Sequence, residues 1–527
     1  MKSIALALSL LVGTALSAQA PAPLRVGKVT IRNLDVYTAS EASRGLFYRT
    51  ADRLHIETKQ SVIAKFLLFH EGDDYRPERL EETERNLRAL RFLKSASVVA
   101  SAPHDGVVDV TVTTQDAWSI SPETQGGSKG GSSTYGLNLS DGNVFGYGKD
   151  ISVGWDKGAD RTRSAIEYND PSFFAPYWNA KMRYGANSDG YEHKVVIKRP
   201  FFSFATPWSA DFSYDGFRQV DKLYTDGLAL DGFRQKHRQL VASVGMALDP
   251  NDALANRLTA GLRVVRDDFF DQPGFASTST TMPDARDFRY LFVRYDRVEN
   301  DFVKLNFVNK DLRFEDFNLG RQFTAETAIS PAALGTQRST GFARVAYADG
   351  HRVSDDGFVL PSIGAETRLD SGIENAIVRS SLEFVHRLDE GDYPRTFVAR
   401  ATALSGWRTD RDLQFFADGL TGLRGYRMHT FEGNRAFIVN VEERLYLGRE
   451  ILQLASPGVV AFADVGNATY GGVSSLMSLK SDVGVGVRVG LPRTPKNLLR
   501  LDFAYALNRD PLGRRGWLIS FSSGQAF

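Results

Sequence analysis

Alternation of apolar and polar residues through residues 126–527 is the feature that most constrains the fold. Between Asp482 and Leu491, four valines and the leucine share one parity, while aspartate, arginine and glycine occupy the other. The same period recurs in segments 151–155, 258–264 and 501–507, and no convincing helical pattern interrupts the region. Because successive side chains of a strand point to opposite faces, the pattern predicts a large antiparallel sheet.

The alternation fits two architectures. In a soluble sandwich the apolar faces pack together, whereas in a transmembrane barrel they face lipid and the polar faces line a lumen. Two features favour the barrel. About 25 residues for each strand and its connection would divide the region into about sixteen strands, an even number as bacterial barrels have. Connections also differ in length, with long polar ones at 267–287 and 410–431.

Composition excludes several classes of protein. Lys+Arg 64 against Asp+Glu 63 leaves a net charge of +1, so nucleic acid is not indicated as a partner. The absence of cysteine excludes disulfides and thiolate sites, and the eight histidines show no metal-binding spacing. A mean hydropathy of −0.26 argues against a bundle of membrane helices. We therefore expect no metal and no cofactor.

Residues 1–20 read as a secretory signal peptide. Lys2 is followed by the apolar stretch Ile4–Leu16 and by small residues at positions 18 and 20. A membrane anchor is the alternative, but the apolar stretch is too short to span a bilayer. The mature chain is therefore expected outside the cytoplasm.

Residues 24–120 show the pattern of a small α+β domain with the order β-α-α-β-β. Strand patterns at 28–32, 96–100 and 108–114 flank helical patterns at 58–69 and from Pro77 onward. The strings FLLFHEGDDY (66–75), LEETERNLRALRFLKSASV (80–98) and GVVDVTVTTQDAW (106–118) resemble a POTRA domain, the periplasmic module of the outer-membrane assembly superfamily. That resemblance implies binding of client chains at a sheet edge; a generic α+β domain is the alternative.

The densest motif is the loop segment GLRGY, Gly422–Tyr426, followed by NRAFIVNVEERLYL (434–447) and VAFADVG (460–466). Parity assigns directions to the acids of the two following strands. Glu442 lies opposite the apolar positions of its strand, and Asp464 lies opposite Ala463 of the next. Both acids are therefore expected to point into the lumen, while Glu443 points outward.

These three strings resemble the inward-loop signature of BamA, TamA and the two-partner secretion transporters. The resemblance implies a loop that folds back into the barrel, with Arg424 paired to acids on the wall; an ordinary surface turn is the alternative. It assigns the loop motif to Leu423, Arg424, Gly425 and Tyr426, and its wall partners to Glu442, Phe462, Asp464 and Gly466.

The final string FSSGQAF also resembles the last strand of that superfamily, with Phe521, Gly524 and Phe527 as an outer-membrane insertion signal. Phe527 has the parity of Trp517 and Ile519, which places it on the expected lipid face. The segment 126–130 matches a nucleophile elbow around Ser128, but no helix pattern follows it. We expect a flexible joint there and no catalytic residues.

The sequence therefore predicts a membrane all-β protein: a signal peptide (1–20), one POTRA domain in the periplasm (24–120) and a sixteen-stranded antiparallel barrel (121–527) in the outer membrane of a Gram-negative cell. The resemblance implies a non-catalytic role in inserting outer-membrane proteins or translocating a client polypeptide. A client strand would pair at a seam between segments 135–139 and 518–527.

The implied partners are outer-membrane lipid, an unfolded or secreted client polypeptide, and a periplasmic or inner-membrane companion protein. Three alternatives stay open. They are a dedicated two-partner-type secretion transporter, a passive porin-like channel and an outer-membrane lipid hydrolase.

Overall fold

The computed structural model describes residues 23–527 except 47, 49, 51, 52, 54, 130, 159, 276–280, 337, 389–392 and 495–497. The segment 1–20, expected to be a signal peptide, lies outside the described residues. None of the described helices is long and apolar enough to cross a bilayer.

The N-terminal part is a small α+β domain. Its three-stranded sheet has the order β1-β3-β2, with β1 parallel and β2 antiparallel to β3, so β2 lies at an edge. The buried core joins apolar side chains of the two longer helices to the inner face of this sheet. Its elements are β1 (Arg25–Leu34), α1 (Ala39–Ala42), α2 (Gln60–Ala64), α3 (Pro77–Arg88), β2 (Leu93–Ala100) and β3 (Val107–Asp116).

Local sequence explains the two longer helices. Pro77 occupies the start of α3, where its missing N–H has no helical partner to lose, and Arg76 before it provides no side-chain cap. The helix expected over 58–69 is shorter than the pattern suggested, because regular α2 ends at Ala64 and the chain continues in turns. The apolar residues after it, Phe66 and Phe69, still enter the core of the domain.

The rest of the chain forms a barrel wall in which the order of neighbouring strands is circular, with β28 beside β4. All wall pairings for which the register is described are antiparallel. The wall strands are β4 (Ile120–Lys129), β5 (Ser132–Asp141), β6 (Asp150–Lys157), β7 (Thr162–Asp170), β8 (Asn179–Asn187), β9 (Gly190–Arg199), β10 (Trp208–Thr225), β11 (Leu228–Ala247), β12 (Leu254–Asp271), β13 (Arg286–Glu299), β16 (Gln322–Ser330), β17 (Thr340–Ala348), β18 (His351–Ser354), β19 (Gly357–Leu369), β20 (Ile373–Leu388), β21 (Arg395–Trp407), β24 (Arg435–Tyr446), β25 (Ser456–Thr469), β26 (Lys480–Gly490), β27 (Leu498–Ala506) and β28 (Trp517–Ser523).

The remaining elements belong to connections rather than to the wall. β14 (Phe302–Leu305) pairs with β15 (Glu315–Asn318), and β22 (Phe415–Ala417) pairs with β23 (Phe431–Gly433). One short helix, α4 (Val473–Leu476), follows β25, and two 3₁₀ turns lie at Val144–Gly146 and Ala332–Leu334.

The expected number of sixteen strands is too low. Since β17 and β18 both pair with β19, they form one interrupted strand, and the described residues then contain twenty wall strands. The estimate assumed a uniform spacing along the chain. Strands β4 to β9 contain only eight to ten residues each and several of their turns are short, so the chain before residue 200 holds more strands than that spacing allows.

The position of the first wall strand also differs from the expectation. The segment 135–139 lies in the second wall strand, β5, and the first is β4. The glycine-rich stretch expected to be a flexible joint is part of that first strand, because the backbone of Gly126 is in register with Tyr135. Glycine lacks the side-chain pattern that marks a strand in the sequence, so the alternation does not indicate β4.

The wall is apolar outside and polar inside. In β26, Val483, Val485 and Val487 are 41–58% exposed on the outer surface, whereas Asp482 and Arg488 are fully buried inside. A soluble sandwich would bury the valines instead. The direction of the alternation is therefore that of a transmembrane barrel, with an apolar exterior and a polar lumen.

Two connections fill the lumen from opposite ends. We call the end of the barrel beside the N-terminal domain the domain end and the other the far end. The loop 408–434 enters from the far end between β21 and β24. The hairpin β14–β15, inserted between β13 and β16, crosses the domain end, where the Val308 carbonyl accepts a hydrogen bond from Arg444 Nη1 at 2.6 Å on the opposite wall.

The N-terminal domain is docked on the domain end. Arg88 in α3 pairs with Asp316 of the hairpin at 2.6 Å, and Arg313 of the hairpin donates to the carbonyl of Leu93. On the same helix, the Glu82 carboxylate accepts a hydrogen bond from the Phe204 backbone N–H in the β9–β10 turn at 2.9 Å. The domain therefore contacts both the hairpin inside the mouth and the turns around it.

Substituting the outer face of the wall tests its contact with lipid. Val485→Arg is expected to lower the free energy of unfolding by about 2–4 kcal/mol, because the new charge must enter hydrocarbon. The control is Val473→Arg, which changes a valine of α4 that is 69% exposed, against 58% for Val485, and is expected to be neutral. Urea unfolding from lipid vesicles, followed by tryptophan fluorescence, measures both; equal losses would contradict the assignment of the faces.

Docking of the N-terminal domain should depend on pH through Glu82. Burial raises the pKa of Glu82 to about 7 from 4.5, so the docked state binds the proton more tightly than an undocked state that exposes this carboxyl. The resulting stabilisation is complete below pH 4.5 and is lost as the pH rises to about 7, by up to about 3 kcal/mol.

Fluorophores attached at Glu78→Cys and Asp249→Cys would report this docking, since the chain has no other thiol. The fraction docked should fall between pH 5 and pH 8. Glu82→Gln should abolish the dependence, and Glu81→Gln, an exposed neighbour on α3, should keep it. A pH dependence that survives Glu82→Gln would show that another group is responsible.

Candidate functional site

The candidate site is the place where the loop 408–434 meets the inner wall. The loop leaves the far end after Trp407, and Arg424 contacts Glu442, seven residues inside the start of β24. At about 3.3 Å per strand residue, the loop reaches roughly 20 Å into the barrel. This depth separates it from an ordinary surface turn.

Arg424 is the centre of the contact. Its Nε and Nη2 donate to the two Asp464 carboxylate oxygens at 2.7 and 2.8 Å, and its Nη1 donates to Glu442. Its guanidinium carbon lies 3.5 Å from the centroid of the Phe462 ring. Arg424 is 3% exposed and both acids are fully buried. The planar fork of arginine suits this bidentate and stacked geometry, which a lysine could not reproduce.

The acids occupy the faces that parity assigned to them. Glu442 and Asp464 point into the lumen, whereas Glu443 is on the outer side of β24 and pairs with Arg395 at 3.1 Å. In β25, the ring of Phe462 is buried and the flanking Ala461 and Ala463 are exposed.

The other three residues of the loop motif are each fixed by a different contact. Leu423 is fully buried in an apolar cluster with Ile438 and Phe431. Gly425 approaches the wall so closely that an added Cβ would lie 2.6 Å from the Asp482 Cβ. Tyr426 donates its hydroxyl to the Ser481 carbonyl at 3.0 Å.

Glycines of the wall make room for the same contact. A Cβ at Gly484 would lie 2.3 Å from the Phe462 ring, so the ring can lie flat under Arg424 only because this residue is glycine. A Cβ at Gly466 would lie 2.5 Å from the Phe437 carbonyl of the neighbouring strand. Gly466, predicted to be a wall partner of the loop, therefore allows neighbouring strands to approach closely and is not a contact of the loop.

The ion pair belongs to a larger buried cluster that sequence reasoning did not assemble. Arg444 Nε donates to Glu442 at 2.7 Å, and Arg488 Nη1 donates to Asp502 at 2.6 Å. Within the described residues, four arginines and four acids share this part of the lumen and their formal charges cancel. They are Arg424, Arg444, Arg488, Arg500, Glu442, Asp464, Asp482 and Asp502.

The signal for the missing members was present in the alternation. Asp482 and Arg488 occupy the polar parity of β26, and Asp502 lies between the outward Leu501 and Phe503. What the pattern does not encode is the stagger between neighbouring strands. Without that stagger, inward charges on β24 to β27 cannot be placed at a common height.

The C-terminal residues differ from their expected arrangement. Phe521 lies in β28 in register with Leu501, and β28 ends at Ser523. Gly524 then adopts a positive φ of 81°, which turns the chain inward, and the ring of Phe527 lies 5.6 Å from the Arg444 guanidinium carbon. Phe527 is therefore a lumen residue and not on the lipid face; the role of this segment in membrane insertion stays a prediction.

The tail is held by polar contacts as well. Gln525 accepts a hydrogen bond from Arg488 Nε at 3.0 Å and donates to the Tyr446 hydroxyl at 2.9 Å. The tail thus closes the cluster on the side of the hairpin β14–β15, against which Phe527 also packs. The loop, the cluster, the tail and the hairpin follow one another along the lumen.

Comparison with known proteins gives structural likeness alone. No family model matches the chain, and no curated protein sequence matches it. Among solved structures, it is similar to CdiB from Acinetobacter baumannii, with 12% identity and a TM-score of 0.49 over 95% of this chain and 74% of that one.

Two further likenesses are of the same kind. BamA from Haemophilus ducreyi lacking POTRA domains 1–3 has 11% identity and a TM-score of 0.39, over 94% of this chain and 84% of that one. CdiB from Escherichia coli has 12% identity and a TM-score of 0.43, over 98% and 92%. At these values the assignment of the site rests on its own geometry.

Removing one charge of the cluster should destabilise the protein strongly. Arg424→Ala leaves the buried Asp464 carboxylate without its cation and removes one of the cations paired with Glu442, which costs about 3–5 kcal/mol. Asp464→Ala should have a similar effect, and the double variant should be less destabilised than the sum of the two by about 0.5–3 kcal/mol. Urea unfolding of the purified barrel measures all three free energies.

The matched control is Glu443→Ala, which removes the adjacent but outward acid and should change the free energy of unfolding by less than about 1 kcal/mol. Effects of Glu443→Ala as large as those of Glu442→Ala would contradict the assigned faces. Strict additivity of Arg424→Ala and Asp464→Ala would contradict a direct contact.

Proposed function

We propose that this chain is a non-catalytic barrel of the Gram-negative outer membrane that inserts outer-membrane proteins or translocates a client polypeptide. The observation that carries the proposal is the loop locked inside the barrel by Arg424, Glu442 and Asp464. A loop held by buried ion pairs, with a hairpin across the other mouth, is suited to a barrel that opens for a specific client and not to free diffusion.

The N-terminal domain is proposed to be a POTRA module in the periplasm, which makes the domain end the periplasmic one. Its sheet has an edge strand, β2, to which an extended client segment could add by backbone hydrogen bonds. A periplasmic or inner-membrane companion protein would bind on the same side. These roles need backbone groups and surface charge and no reacting side chain.

The seam between β28 and β4 is the proposed place of exchange with a client strand. β28 has seven residues and β4 has ten, so the shorter strand cannot pair with the full length of the longer one. Unpaired backbone groups at membrane depth are costly, and an incoming strand would satisfy them.

A deletion strain tests the proposal. Loss of the gene should deplete either a set of outer-membrane proteins, which indicates assembly, or one secreted protein, which indicates a dedicated two-partner-type transporter. Wild type and Glu443→Ala should restore the missing proteins, and Arg424→Ala, at matched folded amount, should restore less than a tenth. Unchanged outer-membrane and secreted fractions in the deletion strain would contradict the proposal.

The porin-like alternative is separated by liposome swelling. Wild-type liposomes should admit small sugars slowly, and Arg424→Ala liposomes should swell several times faster because the loop is released. Rapid swelling with the wild-type protein would favour a passive channel instead.

A further inference from the structure

A cavity of about 520 Å³ lies at the domain end, outside the Arg424 cluster. It is bounded by α3, the β9–β10 turn, the hairpin β14–β15 and two wall residues, Arg257 and Val298. Its volume falls within the usual range of ligand sites. Its position is the junction of the N-terminal domain with the lumen, so a chain passing between the two would meet it.

The cavity is lined by aromatic rings from three separate segments. Phe314 of the hairpin is 48% exposed, so its ring is accessible to a ligand. Two guanidinium groups lie over other rings, Arg85 at 4.2 Å from the Phe302 centroid and Arg257 at 4.5 Å from that of Phe201. The rings are Phe201, Phe202, Phe204, Phe302, Phe314 and Phe317.

Apart from Arg88, the cations that line the cavity have no acidic partner within 4.0 Å among the described residues. Arg85 donates to the Asn300 amide oxygen at 3.3 Å, and Arg257 donates to the Ser203 carbonyl at 3.0 Å. Lys310 is the third cation of this kind. Within the described residues, none of the three forms an ion pair within 4.0 Å, and the buried Arg257 Nε has no hydrogen-bond acceptor. Their charge is available to a ligand.

The acids of the cavity, in contrast, are already engaged. Glu82 accepts the Phe204 N–H, and Glu315 accepts the backbone N–H groups of Asn309 and Lys310 at 2.7 and 2.9 Å. Asp316 is paired with Arg88. The groups left to recognise a ligand are therefore guanidinium, ammonium and aromatic rings.

We propose that this cavity binds an extended segment of the client polypeptide in which aromatic side chains lie beside carboxylates. The carboxylates would pair with Arg85, Lys310 and Arg257, and the client's rings would stack on the phenylalanines. The inference rests on the proposed function, since it names the class of chain that the barrel receives. It also gives the hairpin a role, because Phe314 and Lys310 both belong to it.

Synthetic peptides test the site without transport. The probe is a ten-residue peptide of alternating phenylalanine and aspartate, acetylated, amidated and carrying a fluorophore, added to the purified full chain in detergent. Fluorescence anisotropy should give a Kd at least tenfold lower than for peptides alternating phenylalanine with lysine or alanine with aspartate. Equal affinity for the lysine peptide would show that the client's carboxylates are not recognised. Equal affinity for the alanine peptide would show that its aromatic rings are not recognised.

Substitutions of cavity residues test whether the peptide binds in the cavity. Arg85→Gln combined with Lys310→Gln should raise the Kd at least tenfold, and the exposed Phe314→Ala should raise it several-fold with no loss of folding. The controls are Lys65→Gln and Phe145→Ala, which change a lysine and an exposed phenylalanine outside the cavity. Heat-modified migration on gels verifies that each variant is folded.

Each result bears on one proposal at a time. This inference is overturned if the phenylalanine–aspartate peptide does not bind, or if neither cavity variant changes its binding. It is also overturned if phosphatidylglycerol vesicles displace the peptide completely and bind through the same residues. If the outer-membrane and secreted fractions of the deletion strain are unchanged, the proposed function is overturned, but the result of the peptide measurement remains valid. Peptide binding that requires Phe314 and Lys310 supports the site.

Discussion

The structure depends on the pairing of Arg424 with two buried acids in the middle of a wide barrel. A barrel of this size would otherwise hold water, and an arginine on a loop would remain solvated at the surface. Instead, the guanidinium is held by Asp464 through two hydrogen bonds, by Glu442 through a third, and by the Phe462 ring below it. The contact fixes a far-end loop deep in the lumen.

Other parts of the lumen are built around this pair. Arg444 joins Glu442 to the hairpin β14–β15 through the Val308 carbonyl, and Arg488 joins the cluster to the C-terminal tail through Gln525. The hairpin in turn contacts α3 of the N-terminal domain. A continuous series of polar contacts therefore runs from the far-end loop to the N-terminal domain.

The sequence predicted what depends on parity. The period of two assigned Glu442 and Asp464 to the inner face and Glu443 to the outer one without any knowledge of neighbouring strands. It also grouped the apolar residues of β6, β12 and β26 on one face, and the features that favoured a barrel assigned that face to the outside. The Arg424 motif then pointed to a loop between β21 and β24.

What the sequence could not predict depends on length and register. The twenty wall strands of the described residues include short segments such as β6, whose boundaries the alternation does not mark. The alternation does not mark β4, because its glycines carry no side-chain pattern. Phe527 was assigned to the lipid face by parity, but the positive φ at Gly524 ends the alternation before it. Beyond a turn that reverses the chain, the period of two no longer predicts which face of the sheet a residue occupies.

The loop is anchored in the lumen by Arg424. An experimental structure of the full chain in a lipid nanodisc would test this anchoring most directly, by the distances from the Arg424 guanidinium nitrogens to the carboxylates of Asp464 and Glu442. We expect both distances to be within hydrogen-bonding range and the loop to fill the barrel. A guanidinium facing solvent, with the loop outside the barrel, would contradict the anchoring.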